Sequence, residues 1–329
     1  MRRKTRALAL ALVAIAILGA SEGFGSEPSR PGLDHWTVPD LDALADDDRG
    51  RSIRLGHDLT VETSALIGPG AKDPAKRFAG NRLTCQNCHL NAGAKRFGLP
   101  FVGVYGDFPQ YRAREGHIGS LQERVNGCMT RSLNGRPLPE DSPEMQAIVA
   151  YIQFLSAGRA QDGRGSGKLP ELSRAADPGR GRAVYNQVCV ACHGADGQGK
   201  LRAGMIQSYE FPPLWGHDSF NDGAGMNRLI SAANFIHSNM PNGATWQAPA
   251  LSDEESWDVA AFIVSRQRPH KADLERDYPN RLEKPVDAAY PPFADGFDAE
   301  QHRFGPFEPI RKAIEALRAA DAALPPKRN

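Results

Sequence analysis

Excess charge of either sign is missing from this chain. Its 40 Lys and Arg stand against 39 Asp and Glu, a formal net charge of +1. That leaves no uniform basic field to hold a polyanion, which argues against nucleic acid as a partner. Cysteine is scarce, five in 329 residues, well below the density of a disulfide-built scaffold. The 33 Gly and 25 Pro follow no three-residue period, which excludes collagen, and they are too frequent for a coiled coil. Only one long apolar run occurs, Ala7 to Ala20. It falls short of the roughly 20 residues of a comfortable membrane span. A loop-rich chain of about two domains is left.

The apolar run follows Arg2, Arg3, Lys4 and Arg6, the layout of a secretory signal. Residues 1–25 are expected to be this signal, cut within Ala20–Gly25, with the mature chain free of membrane and located in the periplasm. Leu18 is larger than the small residue favoured three positions before a cut after Ala20, so an uncleaved anchor stays open.

Four of the five cysteines fall into two identical patterns, Cys85-Gln86-Asn87-Cys88-His89 and Cys189-Val190-Ala191-Cys192-His193. This spacing attaches haem c: both thiols add to the haem vinyl groups, and the next residue, His, becomes the proximal iron ligand. Zinc ribbons bring their second cysteine pair within roughly 20 residues of the first, whereas these pairs lie about a hundred positions apart. A redox dithiol would sit in a βαβ context and would not need His at the next position twice. Two covalent haems are therefore expected, with Cys85, Cys88, Cys189 and Cys192 as attachment points and His89 and His193 on iron.

Both haem segments follow one plan. Asp177-Pro178 starts a helix running through Ala183, Val184 and Val188 into the second haem motif, and Ser252 to Glu255 opens a closing helix carrying Trp257, Ala260, Ala261 and Val264. Ser142-Pro143 begins the matching helix of the first half, with Met145, Ile148, Val149, Ile152 and Phe154 on its apolar face, and Arg51 to Leu59 resembles the opening one. The expected fold is mainly α and loop-rich, with two tandem class I cytochrome c-type domains and a C-terminal strap. The expected divisions are an N-terminal domain at 26–157, a Gly-rich flexible linker at 158–174, a C-terminal domain at 175–270 and an extension at 271–329.

The sixth iron ligands decide the chemistry. Met240-Pro241 lies 23 residues before Ile263 of the second closing helix, and Met before Pro in an extended loop suits a thioether ligand. Met226 and His237 are its rivals, read otherwise as a core Met and a solvated His. The same measurement in the first half lands on Cys128, 24 residues before Ile152, with Met129 as the alternative. Thiolate ligation would lower the haem potential and put a sulfur nucleophile at the iron. Seven Lys and Arg against three acids lie between Lys95 and Arg136, and Arg side chains suit a small oxyanion.

With these residues in hand, the chain resembles the dihaem cytochrome c thiosulfate dehydrogenases, through Phe108–Glu115, Arg124–Gly135, Asn221–Asn227 and Lys284–Asp287. The resemblance implies an enzyme that couples two thiosulfates into tetrathionate and hands electrons to a soluble periplasmic carrier such as a cytochrome c. It implies Cys128 of the Asn126-Gly127-Cys128 motif as distal ligand of the active-site haem, and Arg114, Arg124, Ser132 and Gln153 as residues lining the substrate pocket. Asn239 stands where some members carry Lys before the Met-Pro pair, which speaks against a Lys/Met ligand exchange here. Tetrathionate reduction at the same site, and a plain electron shuttle with Met129 on iron, stay open as alternatives.

Overall fold

The first half runs α1 (Asp48–Val61), α2 (Thr63–Ile67), the first haem motif, the short turn α3 (Leu90–Gly93), a hairpin of β1 (Gln110–Arg112) and β2 (His117–Gly119), α4 (Leu121–Arg131) and α5 (Pro143–Ser156). In the second half, α6 (Pro178–Val184) continues through a π-turn into α7 (Val190–His193), followed by a bulged antiparallel hairpin of β3 (Lys200–Arg202) and β4 (Met205–Phe211), α8 (Leu229–Asn239) and α9 (Asp253–Val264). Two further helices, α10 (Ala299–Phe304) and α11 (Glu308–Ala322), belong to the strap. The computed structural model describes residues 36–157, 165–203 and 205–322, so the expected signal lies outside the described residues, as does the linker stretch 158–164.

Helix starts follow the sequence signals. Ser142 accepts from the Met145 N–H with Pro143 in the first turn, Asp177 accepts from Gly179 and Arg180, and Ser252 and Glu255 cap each other reciprocally. Opening and closing helices pack as pairs, α1 on α5 and α6 on α9. A glycine permits each crossing. A Cβ at Gly56 would lie 2.0 Å from the Ala147 carbonyl oxygen, and one at Gly181 would lie 1.8 Å from that of Asp258. Any side chain there would push the helices apart. Leu59, Met129, Met145, Tyr151 and Leu155 fill the first core; Tyr185, Ala233, Trp257, Val259 and Ile310 fill the second.

Two expectations need correcting. The linker was expected to be flexible, yet its described part is pinned: the Leu169 N–H donates to Asn234 at 2.6 Å, and the Trp257 indole N–H donates to the Pro170 carbonyl at 2.9 Å. Contacts with α8 and α9 override the glycine content there. His237, read as solvated, is 7% exposed, 3.3 Å from Asp253 and edge-on to Trp246.

The strap joins both halves. Phe307, Ile310 and Ile314 sit in the second core, while Asp277 takes two bonds from Arg131 of α4, at 2.8 and 2.6 Å. The Tyr278 N–H reaches the Arg114 carbonyl at 2.7 Å. Among the described residues, no helix is long and apolar enough to cross a membrane.

Candidate active site and haem cavities

The two haem motifs present their histidines in the same way. His89 Nδ1 lies 2.5 Å from the Leu99 carbonyl oxygen and His193 Nδ1 lies 2.9 Å from that of Pro212. In each half the carbonyl belongs to the residue before a proline, Pro100 or Pro213. When such a ring is neutral and donates its Nδ1–H to a carbonyl, its Nε2 is left free to ligate iron. Burial lowers the His193 pKa further. The Phe101 ring flanks His89 at 4.4 Å between centroids.

Each motif borders a cavity. The smaller, about 520 Å³, is lined by His89, Phe101, Gln110, Arg124, Cys128 and Ile152 among others. The larger, about 550 Å³, holds Cys189, Cys192, His193, Met226 and Met240, and Cys88 of the first motif reaches its wall. Both volumes fall in the range of cofactor sites. None of the five cysteines is joined in a disulfide, and burial pushes Cys85 and Cys189 up to about 11 and Cys88 up to about 12. Two cysteine sulfurs, an imidazole anchored through Nδ1 and a facing sulfur donor form the donor set of haem c, so the residues fit that group in both halves. Among the described residues, no three His, Cys, Asp or Glu side chains converge into a group that could hold a metal ion.

Cys128 is placed by α4. Ser120 caps that helix, accepting from the Glu123 N–H at 3.1 Å while the Glu123 carboxylate accepts from the Ser120 N–H at 2.6 Å. Arg124, Cys128 and Ser132 follow at four-residue intervals and share one helical face. The Arg124 guanidinium donates to Cys128 Sγ at 2.9 Å. Burial, the largest influence, raises the thiol pKa, but Arg124 and His89 together outweigh it and bring it to about 6. Met129, the rival ligand, is 1% exposed within the first core. It does not line the cavity, whereas Cys128 does.

The other residues expected around the substrate are placed differently. The Arg114 guanidinium donates to the Gly223 carbonyl at 3.0 Å and to the Tyr278 hydroxyl at 3.1 Å, outside the cavity wall. Ser132 caps the end of α4, and Gln153 is exposed on α5 beside the cavity residue Ile152. The cationic cluster is largely committed elsewhere: Arg112 pairs with Glu115, Arg131 with Asp277, and Arg136 lies over Phe78. Arg124 is the member that faces the sulfur. Both Met226 and Met240 line the larger cavity, while His237 does not. Two residues come to lie at the second cavity without a sequence signal that places them there. Lys95, buried, lines it, and Asn239, fully buried, precedes Met240. Neither type at those positions carries a local signal, whereas the Ser120–Glu123 capping box announces α4.

Known proteins add a separate line. Residues 75–160 match the SoxA/TsdA cytochrome c domain family, and residues 179–267 match the cytochrome c family, which agrees with the expected mainly helical dihaem fold. The thiosulfate dehydrogenase of Allochromatium vinosum is 42% identical over 266 residues, 78% of this chain and 91% of the relative. That of Thiomonas intermedia is 36% identical over 286 residues, 82% and 87% of the two chains. The solved thiosulfate dehydrogenase TsdBA from Marichromatium purpuratum superposes with a TM-score of 0.64 at 34% identity over 72% of this chain. The match spans half the length of that solved chain.

Proposed function

The chain belongs to the thiosulfate dehydrogenase family, oxidoreductases acting on a sulfur donor, and we propose that it joins two thiosulfates into tetrathionate at Cys128 and delivers the electrons to a soluble periplasmic carrier such as a cytochrome c. In this reading residues 1–25 are the export signal, 26–157 the catalytic domain, 158–174 the linker, 175–270 the electron-transfer domain and 271–329 the strap. Cys85 and Cys88 would hold one haem c, with His89 and Cys128 to ligate its iron; Cys189 and Cys192 would hold the other, with His193 and Met240. When bound, the two haems supply two one-electron acceptors, matching the two electrons released as two thiosulfates become one tetrathionate.

The observation that carries the reading is the meeting of Cys128 and His89 in one cavity with Arg124 on the sulfur at 2.9 Å. Thiosulfate is a dianion, and bringing two together costs Coulomb repulsion that grows as water is excluded. Arg124, exposed at the cavity mouth, offsets that repulsion by binding sulfonate oxygens and presents the terminal sulfur to Cys128. Ser132 extends the same face as a hydroxyl donor. Arg114 steadies the hairpin that leads into α4, and Gln153 is the exposed neighbour of the cavity residue Ile152. The test is purified protein with thiosulfate and an artificial one-electron acceptor, with tetrathionate measured. Absence of tetrathionate, together with no reoxidation of reduced haem by added tetrathionate, refutes the proposal.

A further inference from the structure

The loop that leaves His89 reaches across to the second half. Lys95 Nζ donates to the Ala244 carbonyl at 3.2 Å, and Asn239 Nδ2 donates to the Phe97 carbonyl at 3.0 Å. The Phe97 and Trp246 rings pack with centroids 5.1 Å apart. These partners bracket Met240: Asn239 directly precedes it, and Ala244 and Trp246 follow within six residues. The loop is itself fixed, since the Leu99 carbonyl receives His89 Nδ1. Phe97 and Leu99 hold left-handed φ values of 55° and 53°, a strain that persists only where the surroundings impose the conformation.

We propose that Lys95 and Phe97 of the first domain, with Asn239 and Trp246 of the second, form an interdomain clamp that seats the Met240 loop, so that ligation of the second haem depends on the first domain. The inference rests on reading Met240 as the distal ligand and adds what holds it. A thioether is a neutral, weak ligand, and its occupancy of the iron therefore depends on how often its loop swings away. Swinging away would break the bonds to Phe97 and Ala244. Asn239 is fully buried, so an amide torn from its partners there would lose hydrogen bonds that water does not replace. Lys95, Phe97, Asn239 and Trp246 are positioning residues, acting through Met240.

The experiment is an imidazole titration of the oxidised holoprotein, following loss of the thioether-to-iron absorption band. Imidazole enters only when the loop has opened, so its apparent Kd varies inversely with the open fraction. Lys95→Met and Asn239→Leu, each removing one interdomain bond, are expected to lower that Kd about tenfold, the equivalent of one hydrogen bond, and to lower the second haem's potential while leaving the first haem's spectrum unchanged. Lys95→Arg, which keeps a donor, is expected to restore most of the parental value. If Asn239→Leu does not assemble, Lys95→Met decides alone. Unchanged imidazole affinity in a variant that retains the band overturns the clamp. A parent protein with no such band overturns the Met240 reading and the clamp with it.

Discussion

Replacing Arg124 with Ala removes the charged group that touches the Cys128 sulfur, at 2.9 Å. The guanidinium faces the sulfur in this structure, and the proposed capture has it bind the sulfonate instead. A hydrogen bond to a charged group contributes about 1.5–3 kcal/mol, which corresponds to a loss of roughly 10- to 150-fold in kcat/KM. Because Arg124 is exposed, solvent screens its field, and the lower half of that range is the expected outcome. Neighbouring cations offer little compensation, since Arg112 and Arg131 are paired with Glu115 and Asp277. The loss should appear mainly in KM and shrink as ionic strength rises, because salt weakens the parental attraction. Arg124→Lys, retaining charge without the fork, should fall between the two. Steady-state rates of tetrathionate formation over a thiosulfate series at two salt concentrations measure all of this. A kcat/KM for Arg124→Ala within about twofold of the parent's, well short of that range, would refute the assignment of Arg124 to substrate capture.

Three further outcomes are expected. Cys128→Gly should carry two covalent haems by mass spectrometry yet lose nearly all turnover, because the sulfur facing His89 is gone; near-normal tetrathionate production would instead make Met129 the ligand to test. Met240→Gly should abolish the thioether-to-iron absorption band, and finding that Met226→Gly does so in its place would show that the repeat was aligned wrongly. Asp277→Ala leaves Arg131 charged and unpaired where the pair is only about a tenth exposed. Breaking such a buried pair costs about 3–5 kcal/mol, so thermal or denaturant unfolding should report a marked loss, and an unfolding midpoint equal to the parent's would mean the strap does not depend on this bond.

Much of the molecule was legible because its signals are local. Cys-x-x-Cys-His encodes attachment and proximal ligation within five residues, and the caps at Ser142, Asp177 and Ser252 each act within three residues of the helix they start. The helix α8 was not anticipated, since Arg228 at its start makes no side-chain cap. Hairpin β1–β2 is three residues a side with little buried, too short for alternation to register.

Local patterns along the chain thus carry the cofactor chemistry and the twofold plan of opening and closing helices. Tertiary structure decided which side chains face the cavities. Arg114 and Arg124 look equivalent in sequence, but Tyr278 and Gly223, distant along the chain, claim one and leave the other at the sulfur. The linker's glycines suggested freedom, which Asn234 and Trp257 remove by hydrogen bonding to Leu169 and Pro170. Cys128 and Met129 are the sharpest instance: consecutive helical residues point about 100° apart. Only the packing of α4, pinned by its cap and by the Arg131–Asp277 pair, turned the methionine into the core and the thiol toward His89.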